Sequence, residues 1–202
     1  MIANTTRIFQ VVTDLAEMYE IPLLLTPDEC KTVIQAIDKG LTPSTVTHGP
    51  NDYRTSRTCH LPAIDPDLAR MLDDRLAKIV NIDPKLSEPI QGQRYDVGQY
   101  FKAHTDWFTP GTPEYQEHTA IGGQRTWTVM VYLNNVEEGG QTTFEKIGRT
   151  FSPHVGDGLA WNNLHRNGEP NHATLHEAMP VEKGVKYVIT KWFRSEPGRS
   201  GL

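Results

Sequence analysis

The sequence predicts one α+β domain. Its 202 residues suit a single well-packed core. Two helices with defined starts lie in the first part of the chain. From about residue 88 the pattern becomes alternating strands separated by turn residues, and helices followed by strands indicate segregated layers. The expected partition is one domain over 1–202, with helical support over about 1–87 and a sheet core over about 88–194.

Met1–Ile21 reads as an amphipathic helix with Asp14, Glu17 and Glu20 on its polar face. It has no basic leader, continuous apolar run or small-residue cleavage site, so it is not read as a secretory signal. Thr26-Pro27-Asp28-Glu29 opens the next helix. A Thr cap, a Pro in the first turn and a Glu three residues after the cap satisfy its free N–H groups. Cys30, Val33, Ile34 and Ile37 then form one apolar face. Asp65-Pro66 starts another helix the same way, with Leu68, Leu72, Leu76 and Ile79 inward. Both are expected to pack outside a sheet.

Strands are predicted over Ile90–Tyr95, Tyr100–His104, Arg125–Leu133, Gln141–Phe144, Gly156–Trp161, Ala173–Met179 and Lys186–Phe193. Asp96-Val97-Gly98, Gly139-Gly140, Gly156-Asp157-Gly158 and Glu182-Lys183-Gly184 mark turns between them. These strands suggest a sandwich or an open barrel. Thr47–Asp52 and Thr109–Gly122 read as loose segments, the second as a lid or entry loop.

The formal net charge is −5, with Lys and Arg scattered. Nucleic acid is therefore not an expected partner. No apolar run has the length of a membrane span. Cys30 and Cys59 give no disulfide framework, and a reducing, cytoplasmic setting is expected.

His104 and Asp106 are two apart at a strand end, which puts both side chains on one face. A second imidazole would complete a set of two His and one carboxylate, which holds one face of Fe(II) and leaves three positions open. That His comes from His118, His154, His165, His172 or His176. His176 is favoured because Leu175–Val181 reads as a strand, and His172 is the runner-up. Lys186 shares a strand face with Val188, Thr190 and Trp192, opposite Val185, Tyr187, Ile189 and Phe193. If its face lines the interior, its ammonium needs a counter-charge, and a bound carboxylate would supply one. Thr142, just past Gly139-Gly140, and Tyr95 offer hydroxyls to the same group.

The chain resembles the prolyl 4-hydroxylase-type Fe(II)/2-oxoglutarate dioxygenases from about Ile21 to Phe193. The resemblance rests on four ordered motifs: Gln93 to Asp106, Gly122-Gly123-Gln124-Arg125, Met130 to Thr142, and Thr174 to Tyr187 closing on Lys191-Trp192. It implies a double-stranded β-helix, or jelly-roll, core. By position, His104, Asp106 and His176 would bind Fe(II). Lys186 would pair with the 5-carboxylate of 2-oxoglutarate, with Tyr95 and Thr142 as hydrogen-bond partners. Tyr100, Arg125 and Trp192 resemble substrate-facing residues, and Arg54 and Ser56 are further substrate-side candidates. The implied reaction uses O2, with ascorbate as a reductant, and hydroxylates a prolyl residue in a peptide or protein, releasing succinate and CO2. Free proline or another small amino acid is the alternative substrate, and a non-catalytic ligand-binding jelly roll is the alternative class. Asn171, Ala178-Met179 and Tyr187 depart from the family pattern, but none is an implied ligand. Asp106 is present where related halogenases lack the carboxylate, which reads as a hydroxylase.

Overall fold

A computed structural model describes residues 6–44 and 53–198. The chain opens with two short antiparallel strands, β1 (Phe9–Gln10) and β2 (Met18–Ile21). The helix expected over Met1–Ile21 is thus not formed across its described part. Its acidic residues have helical spacing, but β2 pairs with a later strand and buries Met18 and Ile21. Tertiary pairing overrides local pattern there. The loose segment Thr47–Asp52 lies outside the described residues.

Helix α1 (Pro27–Ile37) begins at the predicted cap. Thr26 Oγ1 accepts from the Glu29 amide, and the Glu29 carboxylate accepts from the Thr26 amide. Strands β3 (Thr42–Pro43) and β4 (Arg57–His60) follow, then a single turn α2 (Leu61–Ile64). Helix α3 (Pro66–Val80) is capped by Asp65, whose carboxylate accepts from the Leu68 amide. After β5 (Gln91–Tyr95) and β6 (Phe101–His104) comes α4 (Pro113–Gly122). The segment read as a loose lid is therefore largely helical. Thr112-Pro113-Glu114 is the same cap-and-proline start seen in α1, and Thr112 Oγ1 accepts from the Tyr115 amide. The remaining strands are β7 (Arg125–Tyr132), β8 (Glu138–Gly139), β9 (Thr142–Phe144), β10 (Arg149–Phe151), β11 (Gly158–Asn162), β12 (His176–Ala178), β13 (Val181–Lys183) and β14 (Lys186–Arg194). The strand expected from Ala173 starts only at His176, because 172–174 form a tight helical turn.

The major sheet runs β1-β2-β11-β7-β14-β5-β4-β3, and the minor sheet β10-β9-β12-β6. Their sandwich is the expected double-stranded β-helix. Strands were expected only from about residue 88, yet β1–β4 precede it and belong to the major sheet. They were missed because three of them have two to four residues with little alternation to read, and the fourth, β2, was absorbed into the expected helix.

Two cores result. One lies between α1, α3 and the outer face of the major sheet, and contains Cys30, Ile37, Leu72, Leu76, Tyr187, Ile189 and Phe193. The other lies between the sheets and contains Tyr95, Tyr132, Phe144, Trp161 and Val188. Strand β14 serves both by alternation, as its sequence predicts. Cys30 and Cys59 are separate buried thiols. Among the described residues no helix is long and apolar enough to cross a membrane.

Candidate active site

The antiparallel pairing of β12 with β6 sets His176 directly opposite His104. Asp106 follows two residues after His104, where β6 has ended. One ligand atom from each of the three lies within 4.8 Å of the others, and no second such group occurs among the described residues. His172, the runner-up, instead packs edge-on against Trp107 at 4.8 Å.

The local chemistry prepares both imidazoles as ligands. His104 Nδ1 lies 2.9 Å from the Lys102 carbonyl, and His176 Nδ1 lies 2.9 Å from the Thr174 carbonyl. A carbonyl can only accept, so each Nδ1 carries the proton and each Nε2 keeps its lone pair. Burial, reinforced by His176, pushes His104 down to about 3, which keeps its ring neutral. Burial alone would raise the Asp106 carboxyl. His176, His104, Arg125 and the Thr128 hydroxyl bond outweigh it and hold the group below the usual carboxylate range. The rings are wedged in place: His104 stacks on Phe101 at 3.5 Å, and His176 lies between Phe144 and Trp161, each at 5.0 Å. This donor set fits a hard-to-borderline divalent metal with open positions.

A narrow cavity leads from these ligands to Lys186. Lys186 is 1% exposed, and burial pushes its ammonium down to about 7. No carboxylate pairs with it among the described residues. Its Nζ lies 5.3 Å from the Tyr95 ring centroid and 5.6 Å from that of Tyr132. The Thr142 hydroxyl, in the same cavity, is buried without a well-formed hydrogen bond, although it is close enough to Tyr132 to influence that phenol. A buried cation without an anion and an unspent hydroxyl are the groups a bound carboxylate would satisfy. The Tyr95 hydroxyl donates to Gln93 Oε1 at 2.8 Å, so reaching a ligand would require it to change partner.

The cavity opens past Trp192 and Phe101 into a surface cleft of about 690 Å³. Arg125 forms its wall. Its guanidinium donates twice to Glu88, at 2.6 and 2.7 Å, and stacks on Trp192 at 4.2 Å and on Phe108 at 4.8 Å. Arg54 borders both cavity and cleft, and donates to Ser56 and Gln91, each at 2.9 Å. Ser56 and Tyr100, expected on the substrate side, line neither space. Ser56 supports Arg54, and the Tyr100 backbone is held by Thr55. Sequence reasoning missed Glu88, Thr128 and Asn163. Glu88 lines the cleft and holds Arg125, Thr128 holds Asp106 and Asn163 holds Thr128, each through a partner 20 to 40 residues away, and no local pattern marks such contacts.

Residues 90–194 match the family model of the 2OG-Fe(II) oxygenase superfamily. The chain belongs to this superfamily. The iron and 2-oxoglutarate implied by the sequence motifs are the cofactor and cosubstrate in its name. This oxygenase is 37% identical over 174 residues to prolyl 4-hydroxylase subunit alpha-3 of Bos taurus, covering 81% of this chain and 31% of that protein. It is 30% identical over 173 residues to a putative prolyl 4-hydroxylase of Acanthamoeba polyphaga mimivirus, covering 85% of this chain and 71% of that protein. The chain thus spans about a third of the bovine relative and about seven tenths of the viral one. The 2OG complex of viral collagen prolyl hydroxylase from Paramecium Bursaria Chlorella virus-1 superposes with a TM-score of 0.69 at 25% identity, covering 88% of this chain and 95% of that one.

Proposed function

We propose that this oxygenase hydroxylates a prolyl residue within a peptide or protein and converts 2-oxoglutarate to succinate and CO2. The observation that carries the reading is the open cleft leading past Trp192 and Arg125 to His104 and Asp106. An extended chain could cross it, whereas a small amino acid would call for a closed pocket. The names of the similar proteins support the prolyl target.

In this reading His104, Asp106 and His176 hold Fe(II), which supplies the oxygen-activating chemistry when bound. Lys186 neutralises the distal carboxylate of 2-oxoglutarate, with Thr142 and Tyr95 donating to it. The aromatic packing of Phe101, Phe144 and Trp161 excludes water from around the two imidazoles. Arg125, held flat by Glu88, and Trp192 orient the substrate at the mouth. Arg54, held by Ser56, lines the path between cavity and cleft, and Tyr100 acts further out. A reducing, cytoplasmic setting is proposed from the two free, buried thiols, and ascorbate as the reductant that keeps the iron ferrous.

Adding Fe(II) and 2-oxoglutarate without oxygen should produce the weak visible charge-transfer band of the chelate, and His176→Ala should abolish it. With oxygen, proline-containing peptides should gain one oxygen by mass in step with succinate formation. Faster hydroxylation of free proline than of any such peptide would overturn the peptide reading. Absence of the band in folded wild-type protein would overturn the metal reading.

A further inference from the structure

Asp106 has two carboxylate oxygens, and the structure gives them different surroundings. Oδ1 lies 3.9 Å from His104 Nε2, on the side where the three ligands converge. Oδ2 accepts from Thr128 Oγ1 at 2.7 Å. Thr128 Oγ1 in turn accepts from Asn163 Nδ2 at 2.9 Å. Thr128 and Asn163 are both fully buried. Pairing of β7 with β11 and β14 places Thr128 between Trp161 and Trp192, so the hydroxyl has little freedom.

The direction of this relay follows from the donor inventory. An ionised carboxylate only accepts, so the single proton of Thr128 must point at Asp106. Thr128 can then only accept from its other neighbour, which fixes the Asn163 amide with its nitrogen inward. Asn163 Oδ1 is left buried with no partner among the described residues. A misfit of this kind is expected where the opposite orientation would take the proton away from Asp106. The Asp106 main chain is held as well, since its carbonyl accepts from Arg125 at 3.3 Å.

We infer that Thr128, oriented by Asn163, is a positioning residue that withholds Asp106 Oδ2 from the metal and makes Asp106 a one-oxygen ligand. A carboxylate free to turn would no longer present Oδ1 preorganised toward the two imidazoles, and metal affinity would fall. The inference rests on the reading of this site as an Fe(II)/2-oxoglutarate centre and assigns its geometry to two residues outside the ligand set.

The test is a titration of the apo-protein with Mn(II) alone, paired with the visible spectrum of the Co(II) form. Thr128→Val keeps the shape and removes the proton; Thr128→Ser keeps the proton. The expected result is Mn(II) binding about tenfold or more weaker in Thr128→Val, within the usual range for lost outer contacts. Its Co(II) spectrum should change, while Thr128→Ser restores both readouts. A folded Thr128→Val with wild-type affinity and spectrum overturns the inference. If Thr128→Val does not fold, Asn163→Ala decides. Weaker Mn(II) binding there supports the relay, and unchanged binding overturns it. Failure of the wild-type protein to bind Mn(II) would instead sink the metal centre itself, so the two failures are distinguishable.

Discussion

If Lys186 holds the 2-oxoglutarate carboxylate as proposed, the burial of its ammonium against two phenol rings should give cosubstrate binding a pH dependence. Only the charged amine attracts a carboxylate, and its pKa in the free protein is about 7. Affinity should therefore fall as pH rises, by roughly 25-fold between pH 6.5 and 8.5, with a proton taken up on binding. Titration of the charge-transfer band across that range measures it, and a flat profile would refute it. Lys186→Ala should raise the 2-oxoglutarate requirement about tenfold or more, the loss of a charge-assisted contact worth about 1.5–3 kcal/mol, and should flatten the profile. The linkage to stability has the opposite trend. The folded pKa lies below the unfolded one, so between about 7 and 10.5 the unfolded chain holds more protons and stability rises with pH. Lys186→Met should accordingly make the apo-protein more resistant to urea near neutral pH while destroying cosubstrate binding; a lower urea midpoint would count against this. At this scale the sequence was informative where a residue type was unusual for its place. A lysine on an interior strand face and a His-x-Asp at a strand end are both anomalies. Thr128 and Glu88 are ordinary residues whose roles exist only through contacts across the sheet.

Between elements, α3 and β14 are joined by one ion pair under the sheet. Lys191 Nζ, 2% exposed, donates to Asp73 Oδ1 and to the Glu88 carbonyl, both at 2.6 Å. Burial works to lower its pKa and Asp73 opposes this. Asp73→Ala leaves a buried ammonium without its anion and should cost about 1–3 kcal/mol in urea unfolding. Lys191→Met combined with Asp73→Ala should recover most of that. If the double variant is no more stable than the single one, the pair is not the cause. The Gly139-Gly140 turn belongs to the same scale. Gly139 has φ +76°, and a Cβ there would stand 2.3 Å from the Pro180 carbonyl oxygen. Gly139→Ala should therefore destabilise β8 and β13 and weaken 2-oxoglutarate binding through neighbouring Thr142. Helices with caps and strands with alternation were legible. The two- and four-residue strands β1–β4 were not, because they are too short to show alternation and are defined only by their pairing, β2 with the distant β11 and β4 with β5.

The whole molecule is a sandwich in which one sheet carries a helical buttress on its outer face and the site on its inner face. Packing defects in the buttress should change stability and leave the chemistry alone. Leu72→Ala, at a fully buried position between α3 and the sheet, should cost about 2–5 kcal/mol. Mn(II) affinity per folded molecule should stay at the wild-type value, and a parallel loss of affinity would show that the layers are coupled. At this scale the motif spacing made the family and the jelly roll legible. The open cleft was not legible, because it depends on α4 folding over a segment whose Gly and Pro read as loop.

The alternation of β14 has a consequence for how such a chain can change over time. Between Lys186 and Trp192 every second side chain belongs to the cavity and every other one to the helical core. Inserting or deleting one residue there would turn Tyr187 and Ile189 into the cavity and drive the Lys186 ammonium into the apolar core. Length variation in this strand is viable only by twos, or where a compensating bulge restores phase. The existing irregularity between Phe193 and Arg194 lies just beyond Phe193, the last of these core residues, so drift in length is expected to accumulate after Phe193 and not before it.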